Sequence, residues 1–138
     1  MRRSSHFLFG LGLTSLFTQD PLFLALAGLF SVLPDFDWPL QHRGWFSHSL
    51  FSAGILSAAG FFASGDLRFP GVVFLAISSH LLLDLFTKSG VPLLYPWRDD
   101  TCGLRLFSAH NRAMNAAFQL AGLAMLSTGL FGFSLLAG

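Results

Sequence analysis

The run FLFGLGLTSLFTQDPLFLALAGLFSV, residues 7–32, decides how this chain folds. Read as one apolar stretch, it is a single helix whose two ends lie on opposite sides of a bilayer. The polar break Thr18-Gln19-Asp20-Pro21 argues against that, because Asp20 can cap a new helix and proline sits well at a helix's first position. We therefore read two short helices, Phe7–Phe17 and Pro21–Val32, joined by a tight turn. The second stops at Leu33-Pro34, since proline cannot continue the hydrogen-bond ladder and biases its predecessor away from helix. A helix of about a dozen residues rises only ~18 Å against ~30 Å of hydrocarbon, so the pair is expected to be tilted or re-entrant.

Outward from this pair, the apolar runs predict three further helices: Phe46–Ala63, closed by Ser64-Gly65-Asp66; Gly71–Phe86, stopping near Ser89-Gly90; and Ala113–Leu136, long enough to cross a bilayer alone. The expected fold is all-α, a polytopic membrane bundle of about five helices forming one domain over residues 1–138. Composition agrees, with 53% hydrophobic residues, 11% charged and seventeen Phe. A net charge of +1 with no cluster of Lys and Arg excludes a nucleic-acid partner on electrostatic grounds. The lone Cys102 excludes an intrachain disulfide. MRRSSH followed by an apolar run resembles the start of a signal peptide, with Ala25-Leu26-Ala27 as a cleavage site, but TQDP separates run from site and the segment is expected to stay.

Polar groups concentrate in Pro34–Ser49, PDFDWPLQHRGWFSHS, where Asp35, Asp37, His42, Arg43 and His48 stand within sixteen residues. Such groups are costly near lipid unless they have partners or a task. Asp35 and Asp37 flank one residue and point the same way in an extended segment, although a helix-ending turn also favours Asp. His80 and Asp84 are four apart on one helix face, close enough to grip one ion or to bond each other as a buried tether. Antiparallel helices with short loops put alternate ends together. If the chain breaks at Asp20-Pro21, then His6, Asp35, Asp37, His42, His48, His80 and Asp84 all reach one face. Imidazole and carboxylate gathered in this way suit a divalent metal. His110 is left over as a loop residue. The same face collects Arg2, Arg3, Arg43, Lys88, Arg98, Arg105 and Arg112 against Arg68 alone opposite, which makes it the cytoplasmic side of the inner membrane.

The run LPDFDWPLQHRGWFSHS, followed by SHLLLDLFTKSGVPLLYPW, resembles the YdjM-like family of LexA-regulated, membrane-bound metal-dependent hydrolases. The likeness takes in His6, the PDFD element, the HRG-x-x-HS element, the H-x-x-x-D helix and the segment ending at Trp97, with Ser47 standing where the family pattern has threonine. It implies His6, Asp35, Asp37, His42, His48, His80 and Asp84 as ligands or near-ligands, too many for one tetrahedral ion and enough for two. Zinc is the first expectation, with manganese, iron and nickel also admitted by these donors. The implied reaction is metal-assisted hydrolysis of a phosphoester, phospholipid-like or small, drawn from membrane lipid. Arg43 is expected to hold a phosphoryl oxygen, and His42 or Asp37 to serve as general acid or base. Ser47 and Ser49 are expected to bond the ligands from behind, and Trp45, Tyr95 and Trp97 to ring the mouth.

Two other readings use the same residues. Intramembrane His and Asp also serve metal-ion or proton-coupled transporters, though these need polar groups through the membrane depth and the far face has almost none. A non-catalytic membrane protein with a structural metal site would close its coordination shell and leave no place for water.

Overall fold

A computed structural model of the chain describes residues 1–36 and 46–136, with side chains as far as residue 132. Asp37, His42, Arg43 and Trp45 therefore lie outside the described residues. Within them the fold is all-α: α1 Arg3–Ser15, α2 Pro21–Val32, a 3-10 turn Leu33–Asp35, α3 Leu50–Ser64, α4 Arg68–Leu85 and α5 Arg112–Leu136.

The break between α1 and α2 forms as its residues dictate. The Asp20 carboxylate accepts from the Leu22 amide at 3.0 Å with Pro21 at the first helical position, and Gln19 Nε2 donates to the Ser15 carbonyl at 2.7 Å. Both helix ends thus gain partners for backbone groups that have none inside the helix. α1 starts earlier than the apolar run suggests, so His6 sits in its first turn rather than ahead of it. The third helix starts later than Phe46, at Leu50, because Ser49 accepts from the Ser52 amide at 3.2 Å and fixes the entry there. Gly65, at φ 68°, closes it. α4 begins at Arg68 rather than Gly71, because Pro70 falls in its first turn, where a missing N–H costs nothing.

α1 lies against α2, α4 and α5, and α4 against α1, α2 and α3. Phe23 and Ala27 of α2 pack on Val72 and Ala76 of α4, and Ala53 of α3 packs on Val73, Ile77 and Leu81 of the same helix. α5 runs parallel to α1: Asn115, Gly122 and Gly129, each seven residues from the last, meet Ser5, Gly12 and Ser15 in order. A methyl on Gly12 would strike the Gly122 carbonyl and one on Gly122 the Leu8 carbonyl, so the two backbones approach as only glycines allow.

The starts of α1, α3 and α5 and the ends of α2 and α4 therefore share one end of the bundle. Residues 86–111 form a strap across that end, held by backbone pairing of Thr87 with Phe107 and of Val91 with Cys102. Gly90, at φ 64° and with Cys102 O 2.7 Å from where a Cβ would stand, makes its tight turn. The opposite end carries an exposed fork between Arg68 and Asp66, which holds the Asp66 carboxyl below its usual range chiefly through the Arg68 side-chain hydrogen bond. In water such a pair contributes little.

α4 and the Arg112–Gly132 part of α5 are long and apolar enough to cross a membrane. α2 and α3 are apolar but shorter. Phe17, Phe62, Leu67 and Phe131 stand mostly exposed around the bundle, an outer surface better matched to acyl chains than to water.

Candidate metal centre

Four elements each deliver a metal-binding side chain to the same point. α1 brings His6, the turn after α2 brings Asp35, the segment before α3 brings His48, and α4 brings His80 with Asp84 one turn later. One donor atom from each of His6, Asp35, His80 and Asp84 lies within 4.8 Å of all the others. His6 and His80 are fully buried, and their rings stack at 3.7 Å and 17°.

The carboxylates divide their oxygens between the imidazoles. Asp84 Oδ1 lies 3.4 Å from His6 Nε2, while Oδ2 lies 3.4 Å from His80 Nε2 and 4.0 Å from His48 Nε2. Asp35 does the same, with Oδ2 at 3.9 Å from His6 Nε2 and Oδ1 at 3.8 Å from His80 Nε2. Donors around a tetrahedral ion at ~2.1 Å are ~3.4 Å apart, the separation of Asp84 from His6 and His80, so this group could hold a metal ion.

The tautomers agree. His80 Nδ1–H donates to the Ser31 carbonyl at 2.7 Å, which leaves Nε2 as a lone pair. Ser47 Oγ lies 3.1 Å from His48 Nδ1 and 3.4 Å from the Pro34 carbonyl, an arrangement in which Nδ1–H donates to the hydroxyl and the hydroxyl donates onward. His48 Nε2 lies 3.4 Å from His80 Nε2. The His80 lone pair and two carboxylates facing inward repel unless positive charge lies among them. The α-ammonium of Met1 already donates to Asp84 Oδ1 at 2.7 Å. Among the described residues, neither nitrogen of His6 nor Oδ2 of Asp35 has a hydrogen-bond partner, although all three atoms are buried. Buried polar atoms without partners are costly, and a metal ion among these side chains would satisfy two of the three, His6 Nε2 and Asp35 Oδ2.

Beside the cluster opens a cavity of about 540 Å3, walled by Asp35, His48 and Asp84 on one side and by Thr87, Ser89 and Thr101 on the other. Of the three aromatic residues expected at the mouth, Trp45 lies outside the described residues and Trp97 stands elsewhere. Trp97, 72% exposed, packs edge-on against Phe51 at 5.0 Å and lines a groove on the outer side of α3 with Leu50 and Ile55. Tyr95 is likewise absent from the described cavity lining, to which the strap gives Thr87, Ser89, Gly90, Pro92, Thr101 and Ala109. Ser49 does not support a ligand either: its hydroxyl donates to the Phe46 carbonyl while it caps α3. His110 is an exposed loop residue, as expected. The Ser31 carbonyl and the buried Asn115 behind α1 went unnoticed in the sequence; only the polarity of Asn115 in an apolar helix could have flagged it.

Comparison with known families decides the kinship. The profile of the YdjM inner membrane protein family matches residues 1–137. The chain belongs to that family. The match extends beyond the motif-bearing part, through the strap and α5, so the whole bundle is the YdjM unit. The family's description and the apolar helices together make this a membrane protein. No curated protein and no solved structure matches the chain.

Proposed function

We propose that this YdjM family member is a membrane-embedded hydrolase that holds two divalent metal ions and cleaves a phosphoester of phospholipid type. The observation that carries the reading is the split of both carboxylates, Asp84 and Asp35, each with one oxygen toward His6 and the other toward His80. Two ions would be held by these carboxylates together with His6, His48 and His80. Histidine and carboxylate donors place zinc first, with manganese, iron and nickel as the other candidates.

Ions in such a site supply Lewis acidity, lowering the pKa of water and polarising a phosphoryl oxygen. The protein's own part is positional. Ser31 and Ser47 fix the tautomers of His80 and His48, and the stacked His6 and His80 rings keep two imidazoles in register. Asp37 and His42 belong to the same polar segment as Asp35 and are assigned to ligation or proton transfer, and Arg43 to a phosphoryl oxygen. A cavity of about 540 Å3 beside the cluster has room for a headgroup and access for water, which a closed structural site lacks. Its place at the end of a membrane bundle favours a lipid whose scissile group lies at headgroup depth. The cations gathered at that end, Arg2, Arg3, Lys88, Arg98, Arg105 and Arg112, favour a cytoplasmic orientation of the site in a multi-pass inner-membrane protein.

Turnover of a panel of water-soluble phosphoesters and of phospholipid vesicles by the purified protein tests the proposal. Activity that depends on added metal and disappears in His48→Ala and Asp84→Ala is expected. Turnover that survives in both variants, or metal-loaded protein inert on the whole panel, would count against the hydrolase.

A further inference from the structure

α5 supplies no ligand to the cluster, yet one of its side chains is tied to the segment that does. We infer that Asn115 is a positioning residue for the metal centre, setting the placement of His6 from the far side of α1. The inference rests on the metal-site reading above and assigns a task to a helix with no metal-binding residue of its own.

Asn115 is 1% exposed, and its amide uses all of its hydrogen-bonding capacity. Oδ1 accepts from Ser5 Oγ at 2.8 Å and from the Arg2 amide at 3.0 Å, and Nδ2 donates to the carbonyls of Asn111 at 2.7 Å and Ala109 at 2.9 Å. A primary amide with both lone pairs and both protons engaged is held rigidly, and holds its partners in turn. Those partners are the start of α1 and the residue next to His6 on one side, and Ala109, which lines the site cavity, on the other. Gln119 Nε2 adds a bond to Ser5 Oγ at 3.2 Å.

The three imidazoles differ in what orients them. His80 is anchored through its Nδ1 to Ser31, and His48 has Ser47 beside its Nδ1. Neither ring nitrogen of His6 has a hydrogen-bond partner among the described residues. Its direction is therefore set by where the backbone of α1's first turn stands and by stacking on His80. Asn115, through Ser5 and Arg2, fixes that backbone. It does for His6, one residue removed, what a partner on the ring usually does for a metal-binding histidine.

The test is a Co2+ titration of the full-length protein in detergent, followed by the metal's visible absorption, which reports coordination geometry as well as affinity. Asn115→Leu, similar in volume and without hydrogen bonds, is expected to weaken Co2+ about tenfold and alter the band, the scale seen when outer partners of ligands are lost. Asn115→Asp, whose protonated form keeps an acceptor and one donor, should restore affinity to within about threefold. Ser127→Ala removes an exposed hydroxyl of the same helix that bonds only the Ala124 carbonyl among the described residues and should leave both readouts unchanged, so an equal loss there would make the effect merely structural and overturn the inference. Wild-type affinity and spectrum in Asn115→Leu would overturn it as well. If Asn115→Leu does not fold, Ser5→Ala, which cuts the α1 side of the network alone, is decided by the same two readouts. Wild-type protein that binds no Co2+ removes the metal-site reading and this inference together, whereas a binding wild type with an indifferent Asn115→Leu removes this inference alone.

Discussion

At the scale of single residues, the proposed centre would depend on groups behind the His and Asp side chains as much as on those side chains. Imidazole and carboxylate types could be picked out in the sequence because such groups are scarce in an apolar chain and costly in lipid. The Ser31 carbonyl could not, since a backbone acceptor has no residue signature. Ser49 was misassigned because a serine before an apolar run serves as a helix cap or as a ligand's partner with equal ease, and only coordinates show its hydroxyl turned to Phe46. Ser47 lies 3.1 Å from Nδ1 of His48, which the proposal makes a ligand. Ser47→Ala should therefore weaken metal binding by about tenfold in a competition titration with a chelator while leaving the fold's helix content unchanged. Affinity equal to wild type would show that His48 is oriented by something else.

At the scale of elements, the break at Asp20-Pro21 was legible because capping and proline chemistry are local, and the two helices on either side of it follow from four residues. The pairing of α1 with α5 was not, since it comes from glycines seven apart on one helix meeting small residues on another, a relation visible only once both faces are known. Aromatic side chains near the strap suggested a rim around the site, yet Trp97 instead covers the flank of α3. Composition alone does not say which side of a helix a loop falls back upon. The tight α1–α5 contact makes a sharp demand at Gly122: Gly122→Ala places a methyl against the Leu8 carbonyl and is expected to cost about 1–3 kcal/mol in detergent unfolding. Because Gly122 meets backbone of α1 at Leu8 and Phe9 and none of the clustered His and Asp side chains, metal stoichiometry in the folded fraction should stay at the wild-type value. An unchanged stability would mean the helices pack less closely than described.

At the scale of the whole molecule, one end of the bundle carries the cluster, the cavity, the strap and most of the cations, and the other is almost bare of charge apart from Asp20, Asp66 and Arg68. The proposed orientation can be read with the native Cys102, the single cysteine of the chain, which is partly exposed in the strap at the site end. A membrane-impermeant maleimide should label it in inverted inner-membrane vesicles and spare it in intact spheroplasts; the reverse pattern would put the site outside. The account as a whole rests on the convergence of His6, Asp35, His48, His80 and Asp84 around bound metal. Its most direct test is elemental analysis of the purified protein, wild type beside Asp84→Ala, after exposure to zinc and removal of loosely held ions. About two ions per chain in the wild type and a loss of most of that content in the variant are predicted. A wild type at background, or a variant that keeps the full content, would contradict it.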